Sequence, residues 1–132
     1  MVQTVKKPPV SGFPWYPKTL GQHLLKKRLE LGLTQVEVAR KLNLGLQTIS
    51  HWESEDNIPS IYHYPAIINF LGYYPFRMDE TEGGKIKKFR FEHGLSKKNF
   101  AKLLKIHVQY VELVECCLCR PNKNILEYIK MN

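Results

Sequence analysis

The chain has 132 residues and a strong excess of basic side chains, with 20 Lys and Arg against 12 Asp and Glu and a formal net charge of +8. Both parts share the excess, because residues 1–76 hold 8 basic and 5 acidic residues and residues 77–132 hold 12 and 7. Such a charge suits a polyanionic partner, although solubility alone also accounts for it. No apolar run approaches the roughly 20 residues of a membrane span, and no signal-peptide pattern opens the chain.

Capping patterns mark the first two predicted helices. Thr19 and Gln22 form a capping-box pattern ahead of an apolar-periodic run, and Gly32 supplies the left-handed residue that ends this helix. Thr34 and Glu37 form a second capping box, which predicts a second helix soon after the first. Two short helices are therefore expected in close succession.

The remaining elements are also predicted to be helices. A third helix is expected over about 46–53, and a fourth from 59–60 to about 71–72, with Pro65 kinking or breaking it. No stretch alternates with period two over the length of a strand, so the predicted fold class is all-α. The second part of the chain repeats the plan, with helices expected up to Gly94, from Ser96 to Leu104, over 108–116, and from Pro121 onward.

The same segment occurs twice, 62 residues apart and without a gap. When residues 21–70 are placed on residues 83–132, 12 of 50 positions are identical. Two copies of one unit in a chain of this length indicate a tandem pair of small domains. We therefore predict an N-terminal arm over 1–18, a first domain over 19–76 and a second, divergent domain over 77–132.

The second and third helices of each copy are separated by only three or four residues. A small residue, Ala39 or Ala101, lies where two such helices cross closely. This is the spacing of a helix-turn-helix, in which the second helix enters the major groove of DNA while the first crosses the backbone. Ile49 and Trp52 fall on one face of the third helix and are predicted to point into the core.

The run LGQHLLKKRLELGLTQVEVARKLNLGLQTISHWE, followed by Ile58-Pro59-Ser60, resembles the phage-repressor-like (XRE-type) helix-turn-helix family. The resemblance is dense over residues 20–72 and looser over 83–132. It implies a compact lambda-repressor-like helical domain that binds double-stranded operator DNA as a homodimer. Residues 1–18 fall outside it.

The resemblance also implies site residues. It places Gln35 at the start of the second helix, where its side chain and backbone N–H groups approach a phosphate. Gln47 carries the amide that suits adenine, His51 suits guanine or a phosphate, and Leu46 suits a thymine methyl. A merely solvated helix face is the alternative for Gln47 and His51. The implied DNA-reading positions at the start of the third helix are Gly45, Leu46, Gln47, Thr48, Ser50 and His51.

The second copy departs from this pattern. Tyr110, Glu112 and Leu113 stand where the first copy has Thr48, Ser50 and His51, and a carboxylate there repels a phosphate backbone. Basic and amide residues nevertheless remain at positions suited to DNA, namely Lys97 and Lys98 at the start of its second helix and Gln109 in the third. Two interpretations stay open: a second, less specific DNA reader, or a degenerate copy used for dimer or partner contact.

The resemblance further implies one ion pair in each copy, between its first and third helices. The family's positions fall on Arg28 and Glu53, and on Arg90 and Glu115 in the second copy. A guanidinium on a carboxylate is geometrically well fixed, so these pairs are expected to orient the recognition helix and to be structural.

The three cysteines, Cys116, Cys117 and Cys119, are an odd number in one short segment, which favours reduced thiols in a cytoplasmic protein. We interpret them as half-buried residues of a turn and predict no metal site, because structural zinc needs four ligands. The Pro-rich arm either reaches a minor groove or, as we prefer, packs Phe13, Trp15 and Tyr16 on the helical body.

No Gly-rich phosphate loop, paired carboxylates or triad-like set is found in the sequence. We therefore predict neither an enzyme nor a cofactor, and no small-molecule ligand is evident. The sequence favours a sequence-specific DNA-binding transcriptional regulator, acting as a repressor. The alternative is a protein-interaction module, antitoxin-like or adaptor, that uses the second domain.

Overall fold

The computed structural model describes residues 16–132, and this part of the chain is helical, with eight α-helices, one 3-10 turn and no strand. The all-α prediction is confirmed for these residues. The helices are α1 (Leu20–Glu30), α2 (Gln35–Leu42), α3 (Leu46–Glu53), α4 (Tyr64–Leu71), α5 (Glu82–His93), α6 (Lys97–Leu104), α7 (Val108–Glu115) and α8 (Lys123–Met131), and the 3-10 turn is Ile61–His63.

Helix α1 begins and ends where its capping residues predict. The Thr19 hydroxyl accepts a hydrogen bond from the Gln22 backbone N–H at 3.1 Å. The reciprocal bond differs from the predicted capping box. The side-chain Oε1 of Gln22 accepts from the backbone N–H of Lys18, at 2.8 Å, and not from that of Thr19. Gly32 is left-handed, with φ +69°, and the next N–H turns back to the Arg28 carbonyl at 3.0 Å.

Capping residues determine where α2 begins and ends and where α3 begins, and they leave only a short connection between the two helices. Thr34 and Glu37 make both bonds of the predicted capping box at the start of α2. Asn43 ends α2 in the left-handed conformation, with φ 58°, which asparagine tolerates better than most residues. Gly45 is then the N-cap of α3 and contributes no side-chain hydrogen bond.

The prediction for the fourth helix was wrong at its start. Ile61–His63 forms a 3-10 turn, and α4 begins only at Tyr64. Pro65 therefore lies in the first turn of α4, where the N–H that proline lacks has no intrahelical acceptor in any case. Pro65 does not break α4, which continues to Leu71.

The helix boundaries recur along the chain at the same spacing as the sequence repeat. Helices α6 and α7 begin and end 62 residues after α2 and α3, respectively. The left-handed backbone positions recur with them. They pair as Gly32 with Gly94, Asn43 with Lys105, and Glu55 with Cys117.

Contacts within the chain define two units. The first unit runs to Pro59 and adds Phe70–Pro75, and the second comprises Ser60–Asn69 and Phe76–Asn132. The sequence-based division between residues 76 and 77 assigns 60–69 differently and stays a prediction about the domains. In the first unit the buried side chains of helices α1 to α3 are Leu24, Val38, Ala39, Ile49 and Trp52. The core of the second unit is Ile86, Phe89, Phe100, Ala101, Val111, Val114 and Ile125.

Segment 60–69 contributes to the second unit through an aromatic cluster. Tyr64 lies 4.9 Å from Phe76 and 5.1 Å from Phe91, measured between ring centroids. Pro65 is close to the backbone of Gly94, where an added Cβ would lie 3.1 Å from the proline ring. These contacts hold the start of α4 against the end of α5.

Candidate nucleic-acid interface

A bidentate ion pair fixes the end of α3 to α1. The Arg28 guanidinium donates to both carboxylate oxygens of Glu53, at 2.6 and 2.9 Å, and to the carbonyl of Leu33 at 3.0 Å. The arginine side chain is 14% exposed and the glutamate side chain 5%. Because both groups are largely removed from water and satisfied, α3 is held in one orientation.

Gln35 belongs to the same network. Its side-chain amide nitrogen donates to a Glu53 carboxylate oxygen at 3.0 Å, which links the start of α2 to the end of α3. This contact was missed by the sequence analysis, which assigned the Gln35 side chain to a phosphate. The backbone N–H of Gln35, in the first turn of α2, has no acceptor within its own helix and still suits an anion.

The outer face of α3 carries two exposed polar side chains one turn apart, Gln47 and His51. Residues four apart on a helix are neighbours, so these two side chains share one surface. Leu46 is 47% exposed beside them, whereas Thr48 and Ser50 are half-buried. Gln47, His51 and Leu46 are thus the best-exposed side chains of this helix.

The loop after α3 forms hydrogen bonds with His51, at the end of the exposed face of this helix. The Asn57 N–H and the Ser54 hydroxyl both donate to the His51 carbonyl, at 3.3 and 3.2 Å. The Asn57 side-chain nitrogen lies 3.5 Å from Nδ1 of His51. In the tautomer in which Nδ1 accepts this bond, Nε2 carries the proton and is a donor, which suits guanine or a phosphate.

The start of α3 is open to an anion. Gly45 has no side chain to cap the helix, so the first N–H groups of α3 lack a side-chain acceptor. The helix dipole adds a partial positive charge at this end. A larger residue would fit sterically at position 45, since a Cβ on Gly45 would contact only the Thr48 hydroxyl, at 3.9 Å.

The second unit contains an equivalent ion pair. Arg90 donates to both carboxylate oxygens of Glu115, at 2.5 and 2.8 Å, and to the Leu95 carbonyl at 3.0 Å. The arginine side chain is only 4% exposed, so this pair is more deeply buried than that of the first unit. It attaches the end of α7 to α5.

The outer face of α7 differs in chemistry from that of α3. Gln109 and Glu112 are exposed, and Leu113 is 40% exposed. Tyr110 is half-buried, and its hydroxyl donates to the Arg120 carbonyl at 2.9 Å, which ties it to the following loop. The amide of Gln109 is therefore flanked by a carboxylate and an apolar side chain.

Two lysines open α6. Lys97 is half-buried and Lys98 is exposed, and the first turn of this helix contains no acidic residue. A helix dipole disfavours cations at its N-terminus. The positive charges of this pair therefore do not stabilise the helix. An anion bound here would also meet the free backbone N–H groups of the first turn.

Two further predictions are corrected by the structure. Cys116, Cys117 and Cys119 are free thiols and are all exposed, not half-buried, because the loop they form lies outside the core. Tyr16 is 83% exposed, so it does not pack on the helical body as predicted. Phe13 and Trp15, the other aromatic residues of the arm, lie outside the described residues.

Two further findings concern metal ions and membranes. Within residues 16–132, no group of three or more His, Cys, Asp or Glu side chains is arranged to hold a metal ion. None of the helices in that range has both the length and the apolar character that crossing a membrane requires.

The comparison with protein families gives one match, and it covers the part of the chain that contains α2 and α3. Residues 24–77, which include all of α2 and α3, match the Helix-turn-helix family model of XRE type. The matched family is one of DNA-binding regulatory domains and not of enzymes. It does not extend over α5 to α8. Neither the curated proteins nor the solved structures gave a significant match.

Proposed function

We propose that the protein is a sequence-specific transcriptional repressor that reads the major groove of DNA with α3. The observation that carries this proposal is the polar outer face of α3, with exposed Gln47 and His51, on a helix fixed by the buried Arg28–Glu53 pair. A rigid helix with hydrogen-bonding side chains on its exposed face meets the requirement for direct readout of base edges.

The individual roles follow from the chemistry of each group. The amide of Gln47 has a donor and an acceptor in the arrangement that pairs with adenine N6 and N7. The Nε2 donor of His51 reaches guanine or a phosphate, and the side chain of Leu46 meets a thymine methyl. Thr48 and Ser50 add hydroxyls at the edge of this face. The backbone at Gln35 and at Gly45 binds phosphates, which position the helix without reading sequence.

We propose that the second unit is a divergent copy of the same domain. The proposal rests on the 62-residue recurrence of helix boundaries, on the shared left-handed positions and on the Arg90–Glu115 pair. In this copy Lys97 and Lys98 contact the DNA backbone, and Gln109 has a minor role in base readout. Two copies of the chain bind one site as a dimer.

A selection of binding sites from random duplexes tests the proposal. We expect one enriched motif, with inverted half-sites if the protein binds as a dimer, since operator symmetry mirrors protein symmetry. Affinity should fall steeply with salt, because neutralised phosphates release counterions. The selected site placed over a promoter should lower transcription of a reporter when the protein is present. Selection that enriches no motif contradicts sequence-specific readout.

A second candidate function is supported by apolar side chains on the surface of the second unit. Leu103, Leu113 and Leu118 are 49%, 40% and 73% exposed. Such residues suit a protein partner better than DNA, which is the alternative of an antitoxin-like or adaptor module. The two functions are separated by changing these three leucines to serine. DNA affinity should be retained if they serve a protein partner.

A further inference from the structure

Three thiols lie within four residues of the loop that follows α7. Cys116 is the C-cap of this helix, and all three cysteines are free and exposed. Cys117 and Cys119 line an open concavity of about 340 Å³ together with Thr81, Glu82 and Arg120. Cys116 and Cys119 have the Cys-x-x-Cys spacing of redox-active dithiols, which the interpretation as simple turn residues does not explain.

The backbone of the loop brings the first and last thiol-bearing residues to the same end of α7. The Cys116 N–H donates to the Glu112 carbonyl at 3.0 Å, and the Cys119 N–H donates to the neighbouring Leu113 carbonyl at 3.3 Å. Cys117, with φ 62°, reverses the chain between them. The loop therefore folds back on the last turn of the helix.

Chain geometry disfavours one of the candidate pairs, and sequence spacing favours another. The Cα atoms of consecutive residues are about 3.8 Å apart, whereas those of a disulfide are usually about 4.4–6.8 Å apart. Cys116 and Cys117 are therefore too close along the chain for an unstrained disulfide. Cys116 and Cys119 have the Cys-x-x-Cys spacing of natural redox dithiols in the sequence, and the backbone N–H of each donates to a carbonyl of the last turns of α7.

The same turn occurs in the first unit without thiols. Glu55, with φ 66°, has the same left-handed conformation as Cys117. The Ser54 N–H donates to the Ser50 carbonyl at 3.0 Å, which matches the bond from the Cys116 N–H to the Glu112 carbonyl. Ser54, Glu55 and Asn57 stand at the positions of the three cysteines. Since serine, glutamate and asparagine support this backbone, the turn itself does not require sulfur.

We propose that Cys116 and Cys119 form a reversible dithiol site that a peroxide oxidises to an intramolecular disulfide. One thiolate attacks an oxygen of hydrogen peroxide, the O–O bond breaks, and a sulfenic acid and one water form after proton transfer. The second thiolate then attacks the sulfenic sulfur, and the hydroxyl leaves as a second water. Two thiols are thus oxidised while one peroxide is reduced, and a small dithiol reverses the reaction by exchange.

The test uses the full chain, hydrogen peroxide and alkylation of the remaining thiols before mass measurement. We expect the number of alkylated thiols to fall from three to one, with the loss of two hydrogens in the unalkylated chain and full recovery after dithiothreitol. Peptide mapping should join Cys116 to Cys119. Cys117→Ser should still form the disulfide, whereas Cys116→Ser and Cys119→Ser should not.

The first unit supplies a matched control. The triple variant Cys116→Ser, Cys117→Glu, Cys119→Asn carries the side chains of the equivalent loop, so it should keep the helical circular dichroism of the wild type and be unaffected by peroxide. Three thiols still alkylated after peroxide, a disulfide that Cys117→Ser abolishes, or a disulfide between two chains on a non-reducing gel would each overturn the proposal.

Discussion

Helices α3 and α7 have the same length and are fixed by the same kind of ion pair, yet their outer faces differ. The face of α3 offers Gln47 and His51, whereas that of α7 offers Gln109 beside Glu112 and Leu113. A few buried groups thus determine how each helix is held, and the exposed residues vary without affecting that support. Similarity of the scaffold therefore does not transfer the binding chemistry from one helix to the other.

The helices that precede them differ in the same way. Helix α2 begins with Gln35 and has Glu37 in its first turn, while α6 begins with Lys97 and Lys98 and has no acidic residue there. The amide of Gln35 is used inside the first unit, on Glu53. This difference supports our proposal that the first unit reads bases and that the second contributes charge.

The largest effect is expected from breaking the ion pairs. Glu115→Gln should destabilise by about 3–5 kcal/mol, because it leaves a buried guanidinium without its counter-charge. Glu53→Gln should cost less, since Arg28 is 14% exposed against 4% for Arg90. Denaturant unfolding measures both, with exposed Glu112→Gln as the control. Values for Glu115→Gln no larger than the control would contradict the structural role of the pair.

Two glycines test the close approach of the first helix to the third in each unit. A Cβ at Gly21 would lie only 2.0 Å from the Trp52 carbonyl oxygen, and one at Gly83 2.3 Å from that of Val114. Gly21→Ala and Gly83→Ala should each destabilise by about 1–3 kcal/mol or more, because backbone must move to relieve the clash.

The control for these substitutions is Gly45→Ala, which has room for its Cβ. Thermal unfolding should show a clear fall in midpoint for the first two variants and a smaller fall for the third, since alanine is a poorer N-cap than glycine. If only one of the two close-packed glycines were sensitive, the two units would differ in how their helices pack.

The salt dependence of DNA binding tests the assignment of charge to the second unit. Lys97→Ala with Lys98→Ala should weaken binding to all sequences about equally and flatten the log–log salt slope by roughly 1–2 units. The control is Lys123→Ala with Lys130→Ala, which removes the same charge from α8. An equal change in slope for both double variants would show that net charge matters and the position at the start of α6 does not.

The smallest effect concerns pH. Burial, and then the nearby Lys26 charge, hold the pKa of His23 below its usual 6.5, and its Nδ1 lies 2.7 Å from the Tyr73 hydroxyl. The unfolded chain therefore binds this proton more readily, so stability should decline as pH falls below 6.5. The unfolding midpoints of wild type and His23→Gln should therefore converge as the pH falls below 6.5. Parallel pH curves for the two proteins would contradict the lowered pKa of His23. The second unit has Lys85, and no histidine, at the position equivalent to His23.

The sequence predicted most of the elements because their signals are local. The capping box of Thr34 and Glu37 and the left-handed Asn43 define α2 and the turn with few residues. The start of α4 was missed because Pro65 breaks a helix interior but is accommodated in a first turn.

The site was less predictable, since its contacts join distant residues. The bond from Gln35 to Glu53 spans 18 residues and leaves no mark in the local pattern. The exposure of Gln47 and His51 depends on which face α1 and α2 cover. The three cysteines were expected to be half-buried in a turn, and they are exposed, Cys117 at the loop position where the first unit has Glu55.

The central claim is that α3, and not α7, reads sequence, and paired substitutions of the two glutamines test it most directly. Gln47→Ala should weaken binding to the selected site by about 1–3 kcal/mol and relax preference at one base pair, with little change in non-specific binding. Gln109→Ala should change both quantities less. The contradicting result is a selected motif that shifts with Gln109→Ala and is unchanged by Gln47→Ala.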